Sequence, residues 1–372
     1  MRILYAFPEA LPFERARSYQ AVRTASAMAD SGLDIVLMHP QGHEDPFLHY
    51  GLPRPSSLTV IPVSRSLPWP LSRITSNRIF YRRVIHRLSS LKPLDVIFTR
   101  HLKFAAIFLE HGPKVPLVYE AHEVFSDTAP LRKRASRAIE EKRVVENAAV
   151  IVANSGATAT RLQELFGPAR RIVIIPNGVD RVEACPEKDW SDAKRKVVYA
   201  GSLFPWKGVD DLIAAGAWLT GYRIEIVGGE TGQLDELRSR IPPGGAEFSF
   251  SGRLPHSAVM SRLADNCIAV LPNRDDPDSA FTSPIKLFEY IASGCAVVAS
   301  DLPVLREILG DQEAVWSRPG DAESLARAIS SIASTPDRAA AMGRRLHELS
   351  GGYTWLSRGR RLKALFASLT SK

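Results

Sequence analysis

Short apolar runs alternate with amphipathic stretches along the whole chain. A strand buried on both faces of a parallel sheet reads as a continuous apolar run, and a helix laid over it reads as a stripe of period 3.6. In the first half the runs predict strands at 2–7, 33–38, 58–63, 95–99, 116–120, 150–154 and 171–175. Helices fit between most of them, such as 14–30, 74–90 and 131–147. The second half repeats the rhythm, with strands at 196–200, 223–227, 247–251, 268–271, 296–299 and 314–316. Its helices fall near 208–219, 232–240, 256–264, 284–293, 303–309, 321–334 and 336–349. This alternation predicts two doubly wound α/β halves.

Between the halves lies Pro176-Asn177-Gly178-Val179-Asp180, a turn, and then a polar stretch with little pattern. The expected domains are therefore 1–180 and 181–355, followed by a basic amphipathic helix at 356–372. A length of 372 residues suits two domains. Ligands of open α/β sheets bind beyond the carboxyl ends of the strands, so a cleft between the halves is the expected site.

Composition narrows the class. With 45% hydrophobic and 24% charged residues, the chain has material for two cores. No apolar run approaches a bilayer span, and the N-terminus lacks a signal-peptide pattern. Three scattered cysteines make neither a disulfide framework nor a zinc site, so a reducing cytoplasm is expected. The net charge of +8 is uneven. Residues 1–180 carry 24 Lys/Arg against 16 Asp/Glu, and the remainder carries 24 against 24. The first half should face something anionic.

The most informative segment is Ser283-Pro284-Ile285-Lys286-Leu287-Phe288-Glu289-Tyr290. Ser283 reads as an N-cap and Pro284 as the first helical residue. Free N–H groups at a helix start suit a phosphate. Lys286 there opposes the helix dipole unless an anion stands in front of it. Glu289, three residues on, can accept both hydroxyls of a ribose. The alternative is a capped surface helix whose Lys286 and Glu289 face water. In a second segment, Tyr199-Ala200-Gly201-Ser202, then Pro205-Trp206-Lys207-Gly208, a strand ends in a glycine turn. Gly201 permits close backbone approach, and Lys207 can neutralise a diphosphate. Gly228-Gly229 and Arg253-Leu254 end two more strands, and plain turn geometry explains them equally well.

These segments resemble the nucleotide-binding half of group 1 glycosyltransferases (family 4, GT-B fold), in the branch with a Ser-Pro-x-Lys-x-x-Glu-Tyr signature. The resemblance implies two Rossmann-like domains, a C-terminal helix crossing back to the first, and a nucleoside diphosphate-sugar as donor substrate with no cofactor. It implies that Glu289 binds the donor ribose, that Lys207 binds the diphosphate, and that Gly228, Gly229, Arg253 and Leu254 form the wall for the base. Lys286, with Ser283 and Pro284 at the helix start, shares the diphosphate charge. Two positions depart from the family pattern: Phe281 replaces a Glu that contacts the transferred sugar, and Ser202 replaces an Arg. Retention at the anomeric carbon follows from the resemblance alone. Cations and backbone donors suffice to stabilise the leaving group, so no metal is expected; Asp276-Pro277-Asp278 has the letters of a metal motif but sits in a loop.

In the first half, Tyr119-Glu120-Ala121-His122-Glu123 closes a strand. His122 matches the family histidine beside the transferred sugar and diphosphate, and with Lys207 it is the expected catalytic pair. Asn154-Ser155 ends the next strand and also fits the family pattern. Glu120, Glu123, Arg15 and Arg17 are read as acceptor contacts, the arginines alternatively as a solvated helix start. Trp69–Arg87 and Arg132-Lys133-Arg134 with Arg137 mix basic with apolar residues. They suit the anionic inner face of the cytoplasmic membrane, and no nucleic-acid motif accompanies them. The expected acceptor is a glycan or lipid-linked molecule. Rival readings are a sugar-nucleotide epimerase of the same fold, which needs acid/base carboxylates, and a non-catalytic binding module, which Phe281 favours.

Overall fold

The computed structural model describes every residue except 14, 15, 72, 169, 170, 282, 371 and 372. It divides into one unit of Met1–Asn177 with Trp355–Lys372, and another of Gly178–Thr354.

The first unit is built on a parallel sheet of seven strands among the described residues. They are β1 (Arg2–Ala6), β2 (Asp34–His39), β3 (Leu58–Pro62), β4 (Val96–Thr99), β5 (Leu117–Ala121), β6 (Val150–Ala153) and β7 (Ile172–Ile174). Their order is β3-β2-β1-β4-β5-β6-β7, so the winding reverses between β1 and β4. Ile3 pairs with Ile35 on one side and Val96 on the other. Every residue of β4, β5 and β6 is buried, which is why these strands read as apolar runs, broken in β5 by Glu120 alone among charged residues.

The C-terminal helix Trp355–Thr370 completes this unit by packing on the helix Ala16–Asp30. Leu362, Leu365 and Phe366 are buried there, and the Phe366 ring lies 5.7 Å from that of Phe98. Gly359 lets the two helices touch: a Cβ on it would stand 2.1 Å from the Ala27 carbonyl oxygen.

The second unit repeats the plan with β8 (Val197–Ala200), β9 (Arg223–Val227), β10 (Glu247–Gly252), β11 (Ile268–Leu271), β12 (Ala296–Ser300) and β13 (Val315–Ser317). The order β10-β9-β8-β11-β12-β13 reverses between β8 and β11. In sheets of this kind ligands sit beyond the strand ends at the reversal.

The division between units falls slightly earlier than the sequence suggests. The Val179 N–H donates to the Tyr353 carbonyl at 2.9 Å, which ties residues 178–180 into the second unit. The helix expected at 74–90 spans only Asn77–Leu88, because the Ser76 hydroxyl accepts from the Arg78 N–H and caps it there. The helix expected at 208–219 stops at Ala215 and continues as a tighter turn at Gly216–Trp218. Gly216 lies hard against Phe248, whose ring would be 2.7 Å from an added Cβ.

Gly359→Val should overpack the contact between the first and last helices. Destabilisation by about 1–3 kcal/mol is expected in chemical denaturation. A variant as stable as the parent would contradict this packing.

Candidate active site

At the reversal point of the second sheet, three chain segments converge. The first leaves β8 as Gly201-Ser202. The Gly201 N–H donates to the Val227 carbonyl at 2.9 Å. Gly228, at φ 119°, then passes so close that a Cβ on it would stand 2.0 Å from the Gly201 oxygen. The second segment is the turn Pro205–Lys207. Gly208 follows it at φ 68° and lies on the exit of β11, where an added Cβ would be 1.8 Å from the Pro272 oxygen. Asp211 holds Arg274 through two bonds of 2.7 Å, and the Arg274 N–H donates to the Trp206 carbonyl at 2.9 Å. The third is the helix Ile285–Ala292. Its Tyr290 hydroxyl accepts from the Ala200 N–H at 2.8 Å and donates to the Ala200 carbonyl at 3.1 Å, pinning the helix to the end of β8.

These segments bury two ammonium groups. Lys207 is 7% exposed, with its Nζ 3.6 Å from the centre of the Trp206 ring. Among the described residues its ammonium group forms no ion pair or hydrogen bond. Burial pushes its pKa well down, the charge of Lys286 pushes further, and Asp278 pulls back. Lys286 is 8% exposed. Its Nζ donates to the Tyr199 hydroxyl at 3.1 Å and lies 4.4 Å from that ring's centre. Burial lowers its pKa to about 7, against the opposing pull of Glu289. Gly201 keeps the cluster roomy: a Cβ on it would crowd both the Tyr199 hydroxyl at 3.0 Å and the Lys286 Nζ at 3.3 Å. Two like charges held out of water in one cluster are stable only when an anion joins them or a proton leaves.

Glu289 lies on the same helix, its Oε1 3.0 Å from the His256 Nε2. Arg253 is half exposed and paired with Glu230 at 2.8 Å. Ser283 is buried ahead of the helix. Pro284, in an extended conformation, takes the N-cap position expected for Ser283, so helical backbone starts at Ile285. Phe281 is 8% exposed and closes the short turn Pro277–Ala280. Asp276 caps that turn by accepting from the Asp278 N–H at 2.9 Å.

In the first unit His122 follows β5, its side chain 13% exposed. Its Nε2 is 3.0 Å from the Glu120 Oε1, out of hydrogen-bond alignment. Glu120, expected to meet an acceptor, is instead fully buried. Arg358 of the C-terminal helix donates to its Oε1, and also to the carbonyls of Ile175 at 2.7 Å and Pro176 at 2.6 Å. Gln20 donates to Glu120 at 3.3 Å and accepts from Arg100 at 2.5 Å. Burial alone would raise Glu120, but His122, Arg358 and Arg100 outweigh it and hold the carboxyl at about 2. Burial and Arg100 together push His122 down to about 4, against Glu120. His122 is therefore a neutral imidazole at pH 7. The Asn154 amide donates to the His122 carbonyl at 3.2 Å and fixes the strand exit. Glu123 accepts from the Thr128 hydroxyl at 2.8 Å, and Arg17 pairs with Glu9 at 2.9 Å. Arg15 lies outside the described residues. As for metals, exposed His43, Glu44 and His49 bring ligand atoms within 4.8 Å of one another, away from both clusters in sequence.

Residues 18–183 match the model of Glycosyltransferase Family 4, and residues 194–335 that of Glycosyl transferases group 1. The chain belongs to the group 1, family 4 glycosyltransferases. It is similar to the D-inositol 3-phosphate glycosyltransferase of Nocardia farcinica, with 28% identity over 65% of this chain and 59% of that one. It spans between 50% and 63% of the length of D-inositol 3-phosphate glycosyltransferases from four organisms. The fold is GT-B. Sucrose-phosphate synthase from Thermosynechococcus elongatus superposes with a TM-score of 0.79 at 17% identity, over 99% of this chain and 98% of that one. Anabaena HepE in complex with UDP-glucose gives 0.75 at 18% identity, over 99% and 100%.

In this member of the family, Gly201, Ser202, Lys207, Gly228, Lys286 and Glu289 fall at neighbouring strand and helix ends of the second unit. Tyr199, Trp206, Tyr290 and His256 stand among them. Trp206 and Tyr290 lay in the quoted segments without a role of their own, and Tyr199 was not legible because a tyrosine in an apolar strand reads as core. Gln20, Arg100 and Arg358 were missed beside His122, since no spacing links residues so distant in sequence.

The buried lysine gives a pH test with opposite signs. Lys286 has a pKa of about 7 when folded, against 10.5 in the unfolded chain. The unfolded state holds more protons between those values, so the ligand-free protein should gain stability as pH rises through that window. Affinity for a nucleoside diphosphate needs the ammonium form and should fall over the same range. Lys286→Met should flatten the stability slope; an unchanged slope would contradict the assignment. Separately, Arg358→Met strands the Glu120 carboxylate and should cost about 3–5 kcal/mol in denaturation. Adding Glu120→Gln should recover part of that loss, and strict additivity of the two changes would contradict the coupling.

Proposed function

We propose that the chain moves a glycosyl group from a nucleoside diphosphate-sugar to an acceptor held by the first unit. The observation that carries this reading is the pair of buried lysines, Lys207 and Lys286, neither of which forms an ion pair among the described residues. Departure of a nucleoside diphosphate places negative charge where those groups stand, and positioned cations in a dry site act strongly on developing charge. Ser202 and the N–H groups ahead of Ile285 add donors, Glu289 takes the ribose, and Gly228, Gly229, Arg253 and Leu254 line the base. With two ammonium groups in place we infer no need for a resident metal. Neutral His122 serves as a hydrogen-bond partner beside the transferred sugar. Family membership supports retention. The acceptor is a glycan or lipid-linked molecule, contacted by Glu123, Arg15 and Arg17, and the work is done at the inner face of a membrane.

The epimerase reading loses its best carboxylate, because Glu120 is committed to Arg358. The non-catalytic reading keeps one observation in its favour, the buried Phe281 where relatives place a glutamate.

A thermal-shift screen decides between transferase and bystander. Relatives whose names or complexes carry GDP-mannose and UDP-glucose put guanine and uracil nucleotides first in the screen. At 100 times its dissociation constant, a ligand adds about 2.7 kcal/mol of stability. One nucleoside diphosphate should stabilise the parent, and Lys207→Ala and Glu289→Ala should each lose the shift. No shift with any nucleotide would overturn the proposal and favour the binding module.

A further inference from the structure

In the first unit a projecting loop carries a chemistry that glycosyl transfer does not use. After β3 the chain leaves the sheet and returns as a narrow hairpin. Ser66 and Thr75 form an antiparallel bridge at its base. The Leu67 N–H donates to the Ile74 carbonyl at 3.0 Å, and the Ser76 N–H to the Arg65 carbonyl at 2.9 Å. The loop presents large apolar side chains outward: Trp69 is 86% exposed, Leu71 54% and Ile74 51%. Three such residues within six positions form a concentrated apolar tip that nothing in its own unit covers.

The surroundings are cationic. No Asp or Glu occurs between Asp45 and Asp95, a stretch with eight Lys and Arg residues. Arg73 flanks the tip, and the helix Asn77–Leu88 buries Phe80, Tyr81, Val84 and Leu88 while Arg78 and Arg82 are exposed. Arg83 donates to the Ser64 carbonyl at 3.1 Å, which fixes the helix to the base of the hairpin. Among the described residues Arg73, Arg78 and Arg82 form no ion pair. A protein partner of matching shape would need its own carboxylates. A bilayer rich in anionic lipid supplies both an apolar interior for the tip and a diffuse negative surface for the arginines.

We propose that the hairpin 66–75 is a membrane-docking element: Trp69, Leu71 and Ile74 enter the interfacial layer of an anionic bilayer while Arg73, Arg78 and Arg82 lie against its headgroups. One apolar insertion or one basic patch binds weakly alone, and the two together give stable but reversible association. This deepens the reading of a membrane-side acceptor and rests on it for purpose. Its test uses neither donor nor acceptor.

The full chain is sedimented with vesicles of phosphatidylcholine alone, and with vesicles of two parts phosphatidylcholine to one part phosphatidylglycerol. Binding is expected to the anionic vesicles only. Trp69→Ser/Leu71→Ser/Ile74→Ser and Arg78→Gln/Arg82→Gln should each weaken it by roughly tenfold or more. Brominated lipid should quench tryptophan fluorescence in the parent and quench it less in Trp69→Phe. The substituted side chains are exposed, so the variants should keep the parent's melting temperature and its shift with nucleotide. Failure of the parent to bind anionic vesicles overturns the proposal, as does parental binding by the hairpin variant. Displacement of vesicles by single-stranded RNA that the hairpin variant binds equally well also overturns it, in favour of a nucleic-acid face. Loss of the nucleotide shift with vesicle binding intact would instead sink the transferase reading and leave the docking element standing.

Discussion

Two ammonium groups buried in one cluster, with no carboxylate paired to Lys207 among the described residues, set the terms for the second unit. Such an arrangement is costly in the absence of an anion, and the local fold is built to sustain it. Glycines at 208 and 228 bring the backbone closer to Pro272 and to Gly201 than any side chain permits. Tyr290 bonds both backbone groups of Ala200, so the helix bearing Lys286 cannot drift from the strand bearing Gly201. Tyr199 and Trp206 offer ring faces to the ammonium groups, which softens burial without cancelling the charge. Burial drives both lysines toward the neutral form, and an incoming diphosphate reverses that drift. Binding energy from the anion is thereby coupled to proton uptake at the site.

The first unit solves a related problem by the opposite route. There the buried carboxylate of Glu120 is paired through its Oε1 with Arg358, with Gln20 and Arg100 behind it. Removing one partner of such a pair is far more damaging than never having built it. The consequence is that the C-terminal helix, more than 200 residues away in sequence, adds the charge of Arg358 to the surroundings of His122, behind burial and Arg100. His122 stays neutral because burial and the nearby arginines outweigh the carboxylate. The last helix is thus a structural part of the first unit and contributes to the surroundings of His122.

Much of this fold was legible because parallel strands buried on both faces leave continuous apolar runs. Arg223–Val227 and Ile268–Leu271 were read at their observed bounds, and most other strands within a residue at each end. Glycine turns after strands marked where the chain pauses, which is why Gly201 and Gly228 could be singled out. Helix ends were less legible: a Ser-Pro pair looks like a cap plus first residue, yet Pro284 itself holds the cap position. Pairings across long sequence distances left no signal at all. Glu120 looked like a cleft residue because a charged residue near the end of an apolar strand usually is one; only the folded chain reveals that Arg358 has claimed it. Trp69 was read with the basic stretch Trp69–Arg87 as a whole, whereas it sits on a hairpin that precedes the helix of that stretch.

The central claim is that the buried lysine pair is an anion site awaiting a nucleoside diphosphate. It is tested most directly by titration calorimetry of UDP and GDP between pH 7 and 8, in buffers of differing ionisation enthalpy. The account predicts that the nucleotide that binds does so with net proton uptake, as the buried lysines regain their charge, and that Lys286→Met reduces that uptake. Tight binding with no proton uptake, or uptake unchanged in the variant, would contradict it.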